Sequence, residues 1–118
     1  RGLDAADFDE QSGASIVDRT KTAGDAVTPE PGRVAELLYR DCDLGSGVTE
    51  VRVTVAGEGT VELSLGGGAA PAVLELKDAT PSPYDYTTLT AGLVAEGVRD
   101  VHLRLRGPLR LAHVGFSG

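Results

Sequence analysis

Three stretches of the chain alternate strictly between apolar and polar residues, and this alternation constrains the fold more than any other feature. Apolar side chains occupy every second position in 51–55, 61–65 and 101–105. Successive side chains of an extended strand point to opposite faces, so each stretch has one apolar and one polar face. Strands buried on one face are typical of antiparallel sheets, whereas strands of parallel sheets carry continuous apolar runs. The pattern therefore predicts an antiparallel, all-β protein.

Glycine and proline divide the chain at distances that fit tight turns. The 57–59 stretch separates two alternating runs by a hairpin-length gap, and 45–47, 66–71, 81–83 and 107–108 break the chain in the same way. We predict about nine short strands, near residues 3–8, 14–18, 33–43, 48–56, 59–65, 72–77, 84–93, 98–106 and 109–117. Many short strands without space for a long helix predict a β-sandwich jelly roll.

Two segments give weaker signals. Residues 32–39 contain the good helix formers RVAELLY, but their apolar positions do not extend beyond two turns, so a strand is favoured. Residues 19–32 are polar and rich in glycine and proline, which predicts a loop. No repeat or linker divides the chain, so residues 1–118 are predicted to form one domain.

Charge and length exclude several classes of function. Acidic side chains outnumber basic ones by 18 to 11, a formal net charge of −7, whereas surfaces that bind nucleic acid are basic. No run approaches the roughly 18 apolar residues of a membrane helix. No basic start followed by an apolar stretch is present, so any secretory leader was removed or belongs to a longer parent protein. We therefore expect neither nucleic acid nor a membrane as a partner.

The residues that usually carry catalysis are not arranged for it here. His102 falls on the polar face of its strand, and His113 falls at period two after Leu111, which predicts an ordinary position on that apolar face. Cys42 is the single cysteine, and the flanking Asp41 and Asp43 would raise the pKa of its thiol. The glycines at 66–68 are not followed by the Lys-Ser or Lys-Thr of a phosphate-binding loop. The chain is therefore predicted not to be an enzyme.

Sugar binding is the function for which the sequence offers candidates. Protein sites for sugars combine an aromatic ring, which faces the apolar side of the sugar, with polar groups for its hydroxyls. Tyr84 and Tyr86 directly follow the proline-containing stretch 81–83, and Tyr39 is a third candidate. A tyrosine on a strand is also a common core or rim residue, so both interpretations stay open.

The order of four segments resembles the family 6 carbohydrate-binding modules, jelly-roll domains attached to secreted polysaccharide-degrading enzymes. Residues 3–13 resemble the family's opening strand with its Ser-Gly turn, 37–47 its Tyr-containing strand, 51–65 its central hairpin, and 97–111 its closing strands. The resemblance implies a secreted, non-catalytic module that holds a glycoside hydrolase, in the same parent chain, near polysaccharide. The alternative is a structural accessory domain that packs on the catalytic domain and has lost sugar binding.

The resemblance also implies a calcium site, and this chain departs from it. The family's acids lie on the opening strand and near the end of the module. Here the opening pair aligns with Asp4 and Ala6, and the closing acid aligns with Ala112, so only Asp4 retains a carboxylate. Two methyl groups thus replace two carboxylates at positions that should meet in space. We expect the calcium site to be lost, with no cofactor or metal bound.

The family's sugar site is retained only in part. Its tryptophan aligns near Tyr84, its asparagine aligns with Arg110, and its acid aligns with Val17, next to Asp18. Its loop tyrosine falls within 28–30, where this chain has no aromatic residue. We predict a site centred on Tyr84, with Tyr86, Asp18 and Arg110 as neighbours and Tyr39 as a further candidate. The expected ligand is a neutral polysaccharide or oligosaccharide, bound weakly.

Overall fold

A computed structural model describes residues 2–20, 24–66 and 70–118, and in these ranges the chain is almost entirely β-structure. The eleven strands are β1 (Gly2–Asp4), β2 (Glu10–Ser12), β3 (Ala14–Asp18), β4 (Asp25–Pro29), β5 (Ala35–Asp43), β6 (Val48–Gly57), β7 (Gly59–Leu65), β8 (Ala72–Leu76), β9 (Thr87–Ala95), β10 (Val98–Arg106) and β11 (Leu109–Ser117). One 3₁₀ turn, Ala5–Asp7, follows β1. Within the described ranges, no helix has the length and apolar character needed to cross a membrane.

The strands form two antiparallel sheets that pack face to face. Six strands make one sheet in the order β3-β4-β11-β6-β9, and β1 also pairs with β11. The other five make the second sheet in the order β2-β5-β10-β7-β8. Neighbours in each sheet are mostly distant in the chain, which is typical of a jelly roll. The predicted all-β sandwich is confirmed.

The core lies between the sheets and is built by the alternating runs. Their apolar residues are all buried and belong to one hydrophobic cluster: Val51, Val53, Val55, Val61, Leu63, Leu65, Val101, Leu103 and Leu105. Burial of each such side chain contributes about 1.5–3 kcal/mol to folding. The polar residues between them face outward, and no charged side chain among the described residues is buried.

The described residues form eleven strands rather than the predicted nine. Short strands that form only because they pair with distant segments have no local sequence pattern that would predict them. The predicted loop 19–32 contains β4, whose Ala26 and Val27 are fully buried between β3 and β11. The predicted strand at 3–8 is interrupted by the 3₁₀ turn, and Glu10–Ser12 forms a separate edge strand beside β5. The segment at 32–39 enters β5 as a strand, as predicted.

A β-bulge changes the predicted orientation of His113. The pairing of β11 with β6 shifts by one residue between Leu111 and His113, so Ala112 is the extra residue. After the shift Val114 and Phe116 face the core, and His113 is half-exposed beside Asp4, with 3.3 Å between Nδ1 and the nearer carboxylate oxygen. The prediction that His113 shares the face of Leu111 is wrong. His102 lies on the polar face as predicted, with Nε2 3.5 Å from a carboxylate oxygen of Glu36.

Candidate functional site

Tyr84 and Arg110 lie against each other on the outer side of the six-stranded sheet. Tyr84 belongs to the loop between β8 and β9, and Arg110 is the second residue of β11. The central carbon of the Arg110 guanidinium is 5.1 Å from the centre of the Tyr84 ring, which is a cation–π contact. One guanidinium N–H also donates to the backbone carbonyl of Asp18 at 2.9 Å. Asp18 therefore contributes through its backbone, while its side chain is exposed.

A second ring and a second arginine lie beside this pair. The guanidinium of Arg19 is 5.6 Å from the centre of the Tyr86 ring. The Tyr86 hydroxyl is buried and has no hydrogen-bond partner among the described residues. Burial raises the pKa of Tyr86, and the positive charges of Arg110 and Arg19 partly oppose that rise. Both arginines therefore lie close enough to Tyr86 for their positive charges to favour the ionised form of its phenol.

Four of the five residues predicted for the sugar site are thus brought together, although their segments are far apart in the sequence. We call Tyr84, Tyr86, Arg19, Arg110 and the Asp18 carbonyl the tyrosine cluster. Sequence reasoning missed Arg19, and the available signal was its position directly after Asp18 at the end of β3. Arg19 and Tyr86 are 67 positions apart in the sequence, so no local sequence pattern indicates that their side chains are in contact.

The loop that carries Tyr84 is held in place by hydrogen bonds to the end of β6. The backbone N–H of Gly57 donates to the Thr80 hydroxyl at 2.7 Å, and the N–H of Thr80 donates to the Gly57 carbonyl at 3.0 Å. Further along, the N–H of Tyr84 donates to the Ser82 hydroxyl at 3.1 Å. Prolines at 81 and 83 restrict the backbone between these anchors. A ring held in this way loses less conformational entropy when a ligand binds.

An open groove of about 620 Å³ lies between the segment that follows β4 and the turn that connects β10 to β11. Its walls are residues 28–34 and 106–108, and an ion pair of 3.7 Å joins Arg33 to Glu30 on one side. The hydroxyl of Thr28, which lines the groove, donates to the backbone carbonyl of Leu109 at 2.7 Å. No residue of the tyrosine cluster lines this groove.

Tyr39 does not belong to this site. Its ring is in the core, 2% exposed, and its hydroxyl donates to the carbonyl of Ala5 at 2.6 Å. Burial, followed by the nearby negative charge of Asp7, raises the pKa of this phenol. The prediction of Tyr39 as a sugar-facing residue is therefore wrong: β5 turns every second residue inward, and Tyr39 follows Leu37 in that series.

Cys42 is a partly buried free thiol near the end of β5. Its burial raises the pKa of the thiol, and the carboxylates of Asp9, Asp100 and Asp41 raise it further. Of the two acids predicted to raise this pKa, Asp41 does so, while the larger charge effects come from Asp9 and Asp100 rather than from Asp43. A thiol with a raised pKa is a poor nucleophile at neutral pH.

Asp4, Ala6 and Ala112 meet at one hollow, which has a volume of about 240 Å³. The positions that resemble the family's calcium site therefore do converge in this chain. Calcium requires six to eight oxygen ligands, but two of these positions carry methyl groups and the guanidinium-bearing Arg19 also lines the hollow. Among the described residues, no group of three acids, histidines or cysteines is arranged to hold a metal ion. The residues present do not fit a calcium ion.

We accordingly predict that calcium leaves the thermal stability of the wild-type module unchanged. A bound ion stabilises a fold according to the logarithm of its concentration over its dissociation constant, so a tight site gives a clear shift. Melting curves in millimolar calcium and in excess chelator should coincide, with magnesium at equal ionic strength as the control. A rise of many degrees with calcium alone would contradict the prediction.

Comparison with solved structures places this fold among carbohydrate-binding modules. A module from Clostridium stercorarium in complex with cellobiose is 24% identical, with a TM-score of 0.85 over 99% of this chain and 92% of that one. A family 6 module from Clostridium cellulolyticum in complex with xylose is 22% identical, with a TM-score of 0.85 over 100% and 97%. A module of the Cellvibrio mixtus lichenase 5A in complex with cellotriose is 19% identical, with a TM-score of 0.81 over 100% and 96%.

No curated protein sequence matches this chain. The family model for carbohydrate binding module family 6, in contrast, matches residues 4–118, which include every strand except the first two residues of β1 and every residue of the tyrosine cluster. The match agrees with the jelly-roll topology of the two sheets. The chain is therefore a non-catalytic module that belongs to family 6 of the carbohydrate-binding modules.

Proposed function

We propose that this module binds a neutral polysaccharide or oligosaccharide weakly through Tyr84, and that it serves as an appendage of a secreted glycoside hydrolase. The observation that carries the proposal is the tyrosine cluster, in which a fixed ring and a guanidinium lie side by side. The similar modules that were solved with cellobiose, xylose and cellotriose support a sugar as the class of ligand.

The chemistry of the cluster suits a sugar. The apolar face of a pyranose packs on an aromatic ring, and the guanidinium of Arg110 has five N–H donors for hydroxyl oxygens. One of these donors is used on the carbonyl of Asp18. The sugar has to share the Tyr84 ring with Arg110, so the expected affinity is low.

A neutral ligand fits the overall charge. The formal net charge of −7 repels polyanions, although salt screens this repulsion beyond about 8 Å at physiological ionic strength. The two arginines of the tyrosine cluster reduce the local negative charge without reversing the charge of the whole module. A neutral chain carries no such penalty and uses the same ring and donors.

The second candidate function is that of a structural accessory domain. The specific observation in its favour is that both tyrosine rings of the cluster are already in contact with arginines of the module itself. In that case the cluster stabilises the loop, and the module packs on a catalytic domain of the same parent chain. The reading frame around the module tests the parent in both cases, because each requires a neighbouring glycoside hydrolase domain.

Replacement of Tyr84 by alanine tests the sugar site. We expect retention on insoluble xylans, β-glucans and agarose to fall about tenfold, because the stacking surface is lost and tenfold corresponds to about 1.4 kcal/mol. Val73→Ala, on the exposed face of β8 in the other sheet, is the matched control and should bind like wild type. If wild type binds and Tyr84→Ala binds equally well, Tyr84 is not in the site. If wild type binds none of these polymers, the structural role replaces the sugar-binding one.

A further inference from the structure

β9 is a long edge strand without the features that usually keep an edge from pairing with another molecule. It extends from Thr87 to Ala95 and, among the described residues, pairs only with β6. Its sequence TTLTAGLVA contains no charged residue and no proline, although 25% of the whole chain is charged. Natural proteins usually protect an edge by keeping it short or by placing charges, proline or a bulge on it.

The other edge strands of the described sheets are protected in this way. β1 and β2 have three residues each, and β2 includes Glu10. β3 and β8 have five residues each; β3 ends at Asp18, and β8 carries Glu75. β9 does contain a bulge, but it falls after Gly92, so residues 87–92 pair regularly with β6. Their free backbone edge is therefore available to a further strand.

The side of the sandwich next to β9 is partly apolar and has no net charge. The inward-facing Leu89 and Ala91 are only partly buried where they pack against the core. β8, the adjacent edge of the other sheet, adds the partly buried Leu76, and its Glu75 is paired with Lys77 at 4.0 Å. The formal net charge of −7 makes two copies of the module repel each other. This side adds nothing to that repulsion.

We propose that β9 pairs with β9 of a second copy of the chain, so that the two six-stranded sheets join into one continuous sheet. The partner strand has to be extended, uncharged and of similar length, and β9 itself meets these conditions. Antiparallel pairing of two identical strands about a two-fold axis supplies hydrogen-bond partners to the free N–H and carbonyl groups of both edges. This interface goes beyond the proposed sugar site and uses no residue of the tyrosine cluster.

The dimensions of the module indicate a weak, reversible dimer. At about 3.4 Å per residue, the nine residues of β9 span roughly 31 Å. The whole molecule measures 37 × 26 × 25 Å. A contact of this length and about 20 Å deep buries roughly 600 Å² on each copy, which is at the lower end of the range for specific interfaces. We therefore expect monomers at micromolar concentration and dimers at millimolar concentration.

Sedimentation equilibrium tests the dimer, in a reducing buffer so that Cys42 cannot link two chains. Thr88 and Thr90 are exposed on the outer face of β9. In the registers centred on Leu89 or Thr90, which place equivalent faces together, these threonines lie opposite or diagonal to their counterparts in the other copy. Thr88→Lys/Thr90→Lys should therefore weaken association by about tenfold or more through like charges. It does so although it lowers the net negative charge, which by itself favours association.

The matched control is Ser12→Lys/Ser15→Lys, which adds the same two charges at exposed positions of β2 and β3, on the opposite side of the sandwich. This variant should associate at least as well as wild type. Thr88→Glu/Thr90→Glu should be monomeric alone, whereas its equimolar mixture with Thr88→Lys/Thr90→Lys should form dimers and so show that both variants fold.

Three results would overturn the interface. They are a wild type that stays monomeric up to millimolar concentration, dimers that the lysines at 88 and 90 leave unchanged, and a mixture of the lysine and glutamate variants that does not associate. None of these measurements uses a sugar, so failure of the proposed binding function would not affect them.

Discussion

Replacing Gly59 with alanine is expected to destabilise the module by about 2–6 kcal/mol, more than the same replacement at Gly92 or Gly97. Gly59 begins β7 with a φ of +148°, a conformation that L side chains rarely adopt and that costs about 1–3 kcal/mol. A Cβ would overlap the backbone carbonyl oxygen of Arg106 and lie 2.7 Å from Cδ2 of Leu109. Such overpacking adds about 1–3 kcal/mol. Equilibrium denaturation in urea measures the loss in free energy of unfolding, which is the sum of these two costs.

Alanine substitutions at two other glycines distinguish the cost of backbone strain from the cost of steric overlap. Gly97 has a φ of +78° and nothing within 4 Å of an added Cβ, so Gly97→Ala should show only the backbone cost. Gly92 lies in β9 without a left-handed φ and also has open space, so Gly92→Ala should be close to neutral. If all three variants lose the same stability, close packing between the two turns that cross from one sheet to the other, at 57–59 and 107–108, is not the reason for Gly59. The Gly59 variant should also disturb Arg110, which follows the displaced turn at 107–108.

Leu103→Ala is expected to cost about 2–5 kcal/mol, the range for a leucine truncated in a well-packed core. Leu103 is fully buried in the central strand of the five-stranded sheet, where it pairs with Leu37 and Leu63. For a domain of this size, a loss of about 3 kcal/mol lowers the melting temperature by roughly 10 °C. Calorimetry and chemical denaturation should agree on the order of the variants.

The control for Leu103 is Val94→Ala, at a side chain that is 80% exposed on β9. Surface substitutions of this kind usually change stability by less than about 0.5 kcal/mol. A small effect at Leu103, comparable with that at Val94, would contradict the description of the alternating runs as the core.

The parts of the fold that were predicted correctly are those in which burial repeats along the chain. Val51, Val53 and Val55 occupy every second position of one strand, so they must lie on the same face of the sheet. Their orientation could therefore be predicted without knowing which strands pair with theirs. β4 has only Ala26 and Val27 fully buried between a polar start and Pro29, so its composition resembles a loop. It becomes a strand because β3 and β11 pair with it, and pairing across such distances leaves no local pattern.

The residues of the candidate site also divide into those that the sequence indicates and those that depend on the packing of distant segments. Tyr84 and Tyr86 are indicated by their place directly after the proline-containing stretch 81–83, and Arg110 by its alignment with the family's asparagine. The structure brings the three residues together. Tyr39 was misjudged, although its place after Ala35 and Leu37 in an alternating series indicated the core. The bulge at Ala112 and the contact of Arg19 with Tyr86 depend on the packing of distant segments, so neither could be predicted.

The position of β11 between β6 and the pair β1 and β4 also determines when the fold can form. Gly2 pairs with Gly115, so the sheet closes over more than a hundred intervening residues. Contacts between such distant residues are made at a high entropic cost, and domains rich in them fold in milliseconds to seconds. During synthesis, β1 and β4 remain without their shared partner until residues 109–117 have left the ribosome. The module is therefore expected to acquire its stable six-stranded sheet in one late step rather than strand by strand.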